Sequence, residues 1–211
     1  MTPSLIKEEQ RMRIIVVGAT GTIGKAVVKQ LALEHEVVRA ASKSGDYRVD
    51  MTRKESIEKL FQEAGPCDAL VCAAGVARFG PLSELTDEDF QLGLCGKLMG
   101  QVNLVRVGLK YMNDNGSFTL TSGILSHQPM PGSASISMVN AALEGFVRAA
   151  ALEMPRGLRI NVVSPPWVKE TLEALGMDSS GGMPAERVAQ GYRASIAGTR
   201  SGNVINAWDF A

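Results

Sequence analysis

The most constraining feature of the sequence is a short apolar run that leads directly into three regularly spaced glycines. Residues 14–17 are β-branched and apolar, which predicts a buried parallel strand. Gly18, Gly21 and Gly24 follow, and a helical pattern begins among them. A helix that starts in this way offers unpaired N–H groups and partial positive charge to an anion, so the segment predicts a diphosphate-binding turn. A purely structural turn would not need three glycines in register.

Each of these glycines has a separate expected role. Gly18 permits the sharp turn, Gly21 lets the diphosphate of a dinucleotide approach the backbone, and Gly24 lets the helix pack closely against the strand. We therefore assign cofactor binding to the residues of this turn, namely Gly18, Thr20, Gly21, Thr22, Ile23 and Gly24.

Beyond this turn, strand patterns alternate with helical patterns along the whole chain. Further strands are expected at 35–41, 47–50, 67–73, 117–121, 158–163 and 202–207. The alternation predicts an α/β fold, a single doubly wound Rossmann-type domain with about seven mainly parallel strands and helices on both faces. The domain is expected to span 12–211, with substrate loops at 165–195, after an N-terminal extension at 1–11.

Two of the expected helices carry local signals of their own. Thr52, with Glu55 at the capping-box position, predicts the start of a helix that reaches Glu63. A longer helix is expected at 86–112, with a break near 93–100 where glycines recur.

Ligands of such sheets bind beyond the carboxyl ends of the strands, at the point where the strand order reverses. The chain places four loops at these ends, at 18–24, 73–75, 121–123 and 164–166. We therefore expect the four loops to line one cleft.

Composition excludes several classes of partner. Lys+Arg and Asp+Glu both number 22, so no basic field favours nucleic acid or an anionic membrane surface. No apolar run approaches the ~20 residues that span a bilayer, and the charged N-terminus lacks the apolar segment of a signal peptide. The three cysteines have no metal-type spacing, so we expect reduced thiols, no metal site and a cytoplasmic location.

These segments together resemble the short-chain dehydrogenase/reductase family over almost the whole chain after residue 12. The glycine spacing is closer to that of the extended and atypical members of the family. The segment 72–75 (Cys-Ala-Ala-Gly) resembles the Asn-Asn-Ala-Gly of the family, and 121–123 resembles the strand end that carries its catalytic serine. The segment 140–146 resembles the helix that starts with its catalytic lysine, and 159–166 resembles the strand before its Pro-Gly, with Pro166 in place of the glycine.

The resemblance implies further cofactor contacts. Asp50 stands where the family hydrogen-bonds the adenine, and Thr171 stands one position late for the cofactor-binding threonine of the family. The remaining implied cofactor residues are Met51, Ala73, Ala74, Gly75, Thr121, Pro165 and Val168.

The catalytic set of the family does not carry over. The family uses a tyrosine as general acid, and a lysine four residues later lowers the pKa of the phenol. This chain has no Tyr-x-x-x-Lys, and the two positions are occupied by Ile136 and Asn140. Strict spacing puts Gly123 at the serine position, although Ser122 is adjacent, and the helix asparagine of the family falls at Cys95 or Lys97.

The end of the second strand bears on cofactor choice. An acidic residue there would bind the ribose 2′-OH of NAD, but residues 37–45 contain no Asp or Glu. Ser42, Lys43 and Ser44 stand there instead, after Arg39, and hydroxyls with a cation suit the 2′-phosphate of NADP. The sequence therefore predicts NADP(H), the alternative being an ordinary solvated turn.

Three residues are candidates for catalysis. Ser122 could orient a substrate oxygen or simply satisfy the local backbone. Lys97 could face the site or be a surface lysine, and His127 could act as an acid near neutral pH or be a surface loop histidine. Four large residues in the later loops form a candidate apolar wall or lid: Met130, Trp167, Met177 and Met183.

Two functions are compatible with this pattern. The first is an NADP(H)-dependent oxidoreductase that acts on a small-molecule carbonyl or alcohol through a non-standard proton donor. The alternative is a non-catalytic NADP(H)-binding redox sensor or regulator, and a purely structural subunit is weaker because the phosphate turn is intact. The small apolar residues of the helix at 135–153, with the helix at 86–112, predict a homodimer or homotetramer.

Overall fold

The computed structural model describes residues 11–210, which form seven strands and seven α-helices. The strands are β1 Arg13–Val17, β2 Glu36–Ala41, β3 Tyr47–Arg48, β4 Cys67–Cys72, β5 Met112–Thr121, β6 Arg159–Ser164 and β7 Val204–Asn206. The helices are α1 Thr22–Leu31, α2 Lys54–Ala64, α3 Asp87–Gly93, α4 Gly100–Gly108, α5 Ala134–Ala150, α6 Lys169–Ala174 and α7 Ala185–Ala197. A π-helical segment, Leu94–Met99, joins α3 to α4. Except for Arg11, the expected N-terminal extension lies outside the described residues.

The strands form one sheet in the order β3-β2-β1-β4-β5-β6-β7, and every pairing between them is parallel. This confirms the expected doubly wound α/β fold. The strand order reverses between β1 and β4, so the carboxyl ends of these two strands mark the switch point at which ligands of such sheets bind.

The core consists of two apolar layers, one on each face of the sheet. On one face, buried residues of α2, α4 and α5 pack against the sheet, including Phe61, Leu104 and Leu143. On the other face, α1 and α7 pack against it through Val27 and Tyr192. Helices therefore cover both faces, which is why the central strands β1 and β4 are mainly apolar and buried rather than alternating.

The predicted cap of α2 is wrong in detail. The helix begins at Lys54 after Arg53, whose side chain makes no capping bond. Thr52 instead donates its backbone N–H and its hydroxyl to the Asp50 carboxylate, at 2.9 and 2.7 Å. This local turn competes with capping, as is typical of short polar side chains.

The strand expected at 117–121 begins five residues earlier, so the segment 113–116 lies inside β5. The strand begins at Met112, opposite Cys67, and its pairing with β4 then shifts register. Asn115 has a φ of 62°, so the chain does turn locally, but it rejoins the same strand as an irregularity.

No helix in the part of the chain that the structure describes is long and apolar enough to cross a membrane. Across residues 11–210, no three His, Cys, Asp or Glu side chains are arranged to hold a metal ion.

Candidate active site

In the turn between β1 and α1, two of the three glycines have no space for a side chain. A Cβ on Gly24 would lie 1.9 Å from the Gly18 carbonyl oxygen, and a Cβ on Gly18 would lie 2.8 Å from that of Ala74. Gly18 also has a φ of 83°, which favours glycine. At Gly21 the nearest protein atom to such a Cβ is 3.4 Å away, so the protein itself does not crowd this position.

The start of α1 fits a diphosphate. Gly21 is the residue that precedes the helix, and no side chain caps the helix there. The first N–H groups of α1 therefore face the turn without a side-chain acceptor, which is the arrangement that binds phosphate in dinucleotide folds. Gly21 leaves the backbone uncovered on the side from which the ligand would approach.

A cavity of about 450 Å³, here called the outer cavity, runs from this turn past the ends of β2 and β4. It brings together many of the residues that the sequence assigns to cofactor binding: Gly18, Thr20, Gly21, Ser42, Asp50, Met51, Ala73, Ala74 and Gly75. Lys43 and Ser44 lie in the exposed turn after β2, next to Ser42. The outer cavity thus has the volume and the position that the adenosine and diphosphate portions of a dinucleotide would need.

Arg39 has a different environment from the one its position in the sequence indicates. Its guanidinium lies 2.6 Å from the Asp46 carboxylate, which also accepts the Arg39 backbone N–H. Hydrogen bonds from Arg39 lower the pKa of Asp46, so this pair is ionised and internally neutralised. Lys43, which is exposed in the turn after β2, is therefore a better candidate than Arg39 for pairing with a 2′-phosphate.

A second cavity of about 230 Å³, here called the inner cavity, lies beyond the ends of β5 and β6. Its lining joins the four predicted loops: Ile23, Ala73, Ala74, Gly75, Thr121, Ser122, Gly123, Pro165, Pro166 and Trp167. The other lining residues come from helical segments: Lys97, Ile124, Leu125, Ile136 and Asn140. Ala73, Ala74 and Gly75 line both cavities, so the two are neighbours along one groove.

Lys97 reaches the inner cavity from the π-helical segment. Its Nζ donates to the Ser122 carbonyl at 2.9 Å and to Asn140 Oδ1 at 2.6 Å. Burial lowers the pKa of Lys97 from 10.5 to about 8. The expected break in the helix at 93–100 is thus a π-helical turn, a geometry that often occurs at functional sites.

Gly75 makes room for the Lys97 side chain. A Cβ at Gly75 would lie 2.6 Å from Lys97 Cγ and 3.0 Å from Lys97 Cβ. Any larger residue at position 75 would therefore displace the lysine stem that crosses this point.

The contact between Lys97 and Asn140 explains part of the unusual sequence. In the family pattern, the lysine belongs at position 140 and an asparagine belongs in the preceding helical region. Here Asn140 and Lys97 have exchanged these residue types, and the two side chains touch. Cys95, the other candidate register, is exposed and interacts with Gln91. The sequence left Cys95 and Lys97 open for this position, and the contact with Asn140 decides for Lys97.

Ser122 lines the inner cavity, but its hydroxyl is committed elsewhere. Its Oγ donates to Glu144 Oε1 at 3.0 Å, and Ser126 donates to the same oxygen at 2.6 Å. Glu144 is buried in α5, one helical turn after Asn140, and sequence reasoning did not single it out. The arrangement is that of a strand-end serine satisfied by its neighbours.

His127 does not belong to the lining of either cavity. Its side chain is exposed, and its Nδ1 lies 3.0 Å from Ser126 Oγ. Because the hydroxyl proton of Ser126 goes to Glu144, this contact requires the histidine nitrogen to be the donor. His127 is thus the solvent end of a short hydrogen-bonded chain.

None of the three tyrosines occupies the position of the family's general acid. Ile136 lines the inner cavity at that position. Tyr192 lies in the core on the α7 side of the sheet, with its hydroxyl 2.6 Å from Thr121 Oγ1. Burial raises the pKa of Tyr192. Its phenol is therefore a structural group.

The loop after β6 contributes fewer residues to the two cavities than the sequence predicts. Pro165 and Trp167 line the inner cavity, whereas the Val168 side chain is buried in the core and Thr171 lies in α6, outside the lining of both cavities. Met183 is also a core residue, and its backbone pairs with that of Val168.

An aromatic pair stands beside the inner cavity. The Trp167 ring, which is part of the lining, packs edge-on against Phe79 at a centroid distance of 6.3 Å. Met130 and Met177 are exposed at 44% and 51%.

A glycine turn at the switch point of a doubly wound parallel sheet, opening into one continuous groove, defines a Rossmann-type domain. A family model described as enoyl-(acyl carrier protein) reductase matches residues 8–197. The chain belongs to the short-chain dehydrogenase/reductase family, whose members are oxidoreductases.

Individual relatives agree with this assignment. The hydroxynaphthalene reductase-like protein Arp2 of Metarhizium brunneum is 27% identical over 210 residues, covering 85% of this chain and 79% of the relative. The crystal structure of lin1944 from Listeria innocua is similar with a TM-score of 0.89 and 43% identity, covering 92% of this chain and 98% of that one. A small-chain dehydrogenase in complex with NADPH has a TM-score of 0.83 and 26% identity, covering 93% and 96%.

Proposed function

We propose that the protein is an NADP(H)-dependent oxidoreductase that interconverts a small carbonyl compound and its alcohol, with Lys97 as the proton donor. The observation that carries the proposal is the position of the Lys97 ammonium in the inner cavity, held by Ser122 and Asn140. A bound nicotinamide cofactor supplies or accepts the hydride, so the protein must supply orientation and a proton.

Lys97 meets the requirements of that donor. Its ammonium carries three protons, and the described residues accept two of them. The third is available to a carbonyl oxygen in the cavity that the side chain lines. As the carbonyl carbon gains hydride, its oxygen takes this proton from Nζ, and the neutral amine recovers one from solvent. A pKa of about 8 keeps the donor protonated at neutral pH while easing transfer.

Preference for NADP(H) over NAD(H) is supported by the turn after β2. Ser42, Lys43 and Ser44 are exposed there, and Ser42 lines the outer cavity. The 2′-phosphate of NADP would accept hydrogen bonds from these hydroxyls and pair with the Lys43 ammonium. The relative crystallised with NADPH is consistent with this preference.

The alternative is an NADP(H)-binding sensor without catalysis. It is favoured by the apolar Ile136 at the general-acid position and by the commitment of the Ser122 hydroxyl to Glu144. The sensor would bind NADPH and show no turnover with any carbonyl compound.

The test combines binding with turnover. Fluorescence titration with NADPH should show saturable binding, and its absence would contradict both candidates. NADPH oxidation is then measured against a panel of carbonyl compounds, including flat aromatic ketones, since relatives bear the name hydroxynaphthalene reductase. We expect turnover with at least one compound and loss of it in Lys97→Met, with Lys59→Met on the exposed side of α2 as the matched control. NADPH binding without oxidation by any compound of the panel would favour the sensor.

We further propose a cytoplasmic homodimer or homotetramer assembled through α5 and the helical region of α3 and α4. One side of α5 presents small residues to solvent, among them Ala141, Gly145 and Ala149, and Leu152 just beyond it is 89% exposed. Small side chains permit close helix approach. Sedimentation that shows a monomer at every concentration would refute the assembly.

A further inference from the structure

The inner cavity holds a cation without a counter-charge. Lys97 is the one ionisable side chain among the described residues that line it. Its two acceptors, the Ser122 carbonyl and the Asn140 amide, are neutral. No carboxylate within residues 11–210 lies inside the 4.0 Å ion-pair distance of its ammonium.

The surrounding charges do not supply the missing anion. Glu144 is close in the helix, but its carboxylate accepts the hydroxyls of Ser122 and Ser126 instead. The phosphates of a cofactor would lie at the glycine turn, in the outer cavity. A desolvated ammonium with neutral partners alone is unfavourable, and buried charges in proteins are normally paired. A ligand that brings one negative charge would therefore bind here with an advantage over a neutral one.

The walls define the rest of that ligand. Around Lys97 the lining is formed by Leu125, Ile136, Pro166 and Trp167, which are apolar or aromatic. The nicotinamide end of a bound cofactor would share this cavity of about 230 Å³, because Ala73, Ala74 and Gly75 line both cavities, so the space that remains suits a compact flat body better than a hydrated polyol. The ligand that fits these walls has a flat apolar body and one anionic oxygen at the end that faces Lys97.

We propose that the substrate of this site is a carbonyl compound that carries one anionic oxygen, a carboxylate or an enolate, beside that carbonyl on a flat apolar body, and that the third N–H of Lys97 is shared between the anionic oxygen and the carbonyl oxygen. The inference rests on the proposed function for the statement that this ligand is a substrate. The recognition itself is a property of the cavity, and it is measurable without turnover.

The experiment compares ligands that have the same shape and different charge. Isothermal titration calorimetry at pH 7, with and without saturating NADP⁺, gives the Kd of 2-naphthoate and of 2-naphthamide. A charge-assisted contact with Lys97 should make the carboxylate bind at least about tenfold more tightly than the amide. In Lys97→Met the ratio should approach one, whereas Lys59→Met should keep the wild-type ratio.

A second pair identifies the kind of anion. 4-Hydroxycoumarin, whose enolate predominates at pH 7, is compared at that pH with neutral coumarin. Preference for both anions supports a general single-anion site, and preference for one of them assigns the carboxylate or the enolate. Equal affinities within both pairs in the wild type overturn the proposal, as does a preference that survives in Lys97→Met.

The outcomes are separable from those of the proposed function. If Lys97→Met fails to fold, judged by circular dichroism, Lys97→Gln replaces it, and the wild-type ligand pairs remain decisive on their own. A protein that selects the anions and never oxidises NADPH would support the anion site and contradict the oxidoreductase. Turnover of neutral ketones without anion selectivity would support the oxidoreductase and contradict the anion site.

Discussion

Replacing Lys97 by methionine should change the pH dependence of stability in a defined direction. The pKa of Lys97 is lowered from 10.5 to about 8 by burial, so the unfolded chain binds this proton more tightly than the folded protein does. Between pH 8 and 10.5 the unfolded state therefore carries more protons, and the free energy of unfolding rises with pH. Below pH 8 the destabilisation is fully present and amounts to about 3 kcal/mol.

The magnitude follows from the two pKa values. Between pH 7 and pH 10, the wild type should gain about 2.5 kcal/mol of unfolding free energy relative to Lys97→Met. The difference between the two pH profiles is the informative quantity. It removes the effects of the two hydrogen bonds that the variant loses and of all the groups that titrate in both proteins.

The assay is urea denaturation followed by far-ultraviolet circular dichroism at pH 7, 8, 9 and 10. Lys59→Met serves as the control, because the ammonium of Lys59 is largely exposed in its weak pair with Glu63. Its profile should run parallel to that of the wild type. If the Lys97→Met and wild-type profiles are also parallel to within about 0.5 kcal/mol, the desolvated lysine is not a feature of the folded protein.

Three further predictions concern the groove. Gly24→Ala should destabilise the fold by about 3 kcal/mol or more in thermal unfolding, since the added methyl group meets the Gly18 carbonyl; Gly181→Ala, which meets nothing within 4 Å, should leave the melting temperature nearly unchanged. Lys43→Asp should reverse the ratio of the NADPH and NADH dissociation constants in fluorescence titrations, and an unchanged ratio would disprove the role of Lys43 in 2′-phosphate binding. Ser122→Ala should retain most of any NADPH oxidation, because its hydroxyl binds Glu144, whereas Lys97→Met should lower kcat at least about 100-fold. Equal losses in the two variants would contradict a merely structural role of the Ser122 hydroxyl.

Local patterns were sufficient to predict the architecture. The apolar runs that became β1, β4 and β6 are buried on both sides, so each strand is recognisable without its neighbours. The glycine turn is equally predictable from the sequence, because its steric requirements involve residues only a few positions apart, such as Gly18 and Gly24. Errors occurred where two local signals competed, as at Thr52, whose hydroxyl bonds to Asp50 instead of capping α2.

The site depends on contacts that no local pattern reports. Arg39 and Lys43 both predict positive charge at the end of β2, but Asp46 neutralises Arg39 across a tight turn. The orientation of the Ser122 hydroxyl is set by Glu144, which lies in a different element. In both cases the sequence correctly predicts the end of the strand at which the residue lies. The partner of its side chain, which the sequence does not reveal, decides which interactions remain available to it.

The exchange of Lys97 and Asn140 shows why a missing motif does not by itself remove a chemical group from a site. Position 140 faces the inner cavity from α5, and position 97 faces it from the π-helical segment. Because the two side chains meet at 2.6 Å and both line the inner cavity, an ammonium supplied from either position reaches the same cavity. The exchange has one steric condition, namely that position 75 carries no side chain, because the longer path of Lys97 crosses it. Gly75→Ala should therefore displace the lysine and abolish the anion preference measured with 2-naphthoate and 2-naphthamide. Because Gly75 also lines the outer cavity and has a φ of 151°, the same variant should weaken NADPH binding, and an anion preference that survives the substitution would contradict the steric condition.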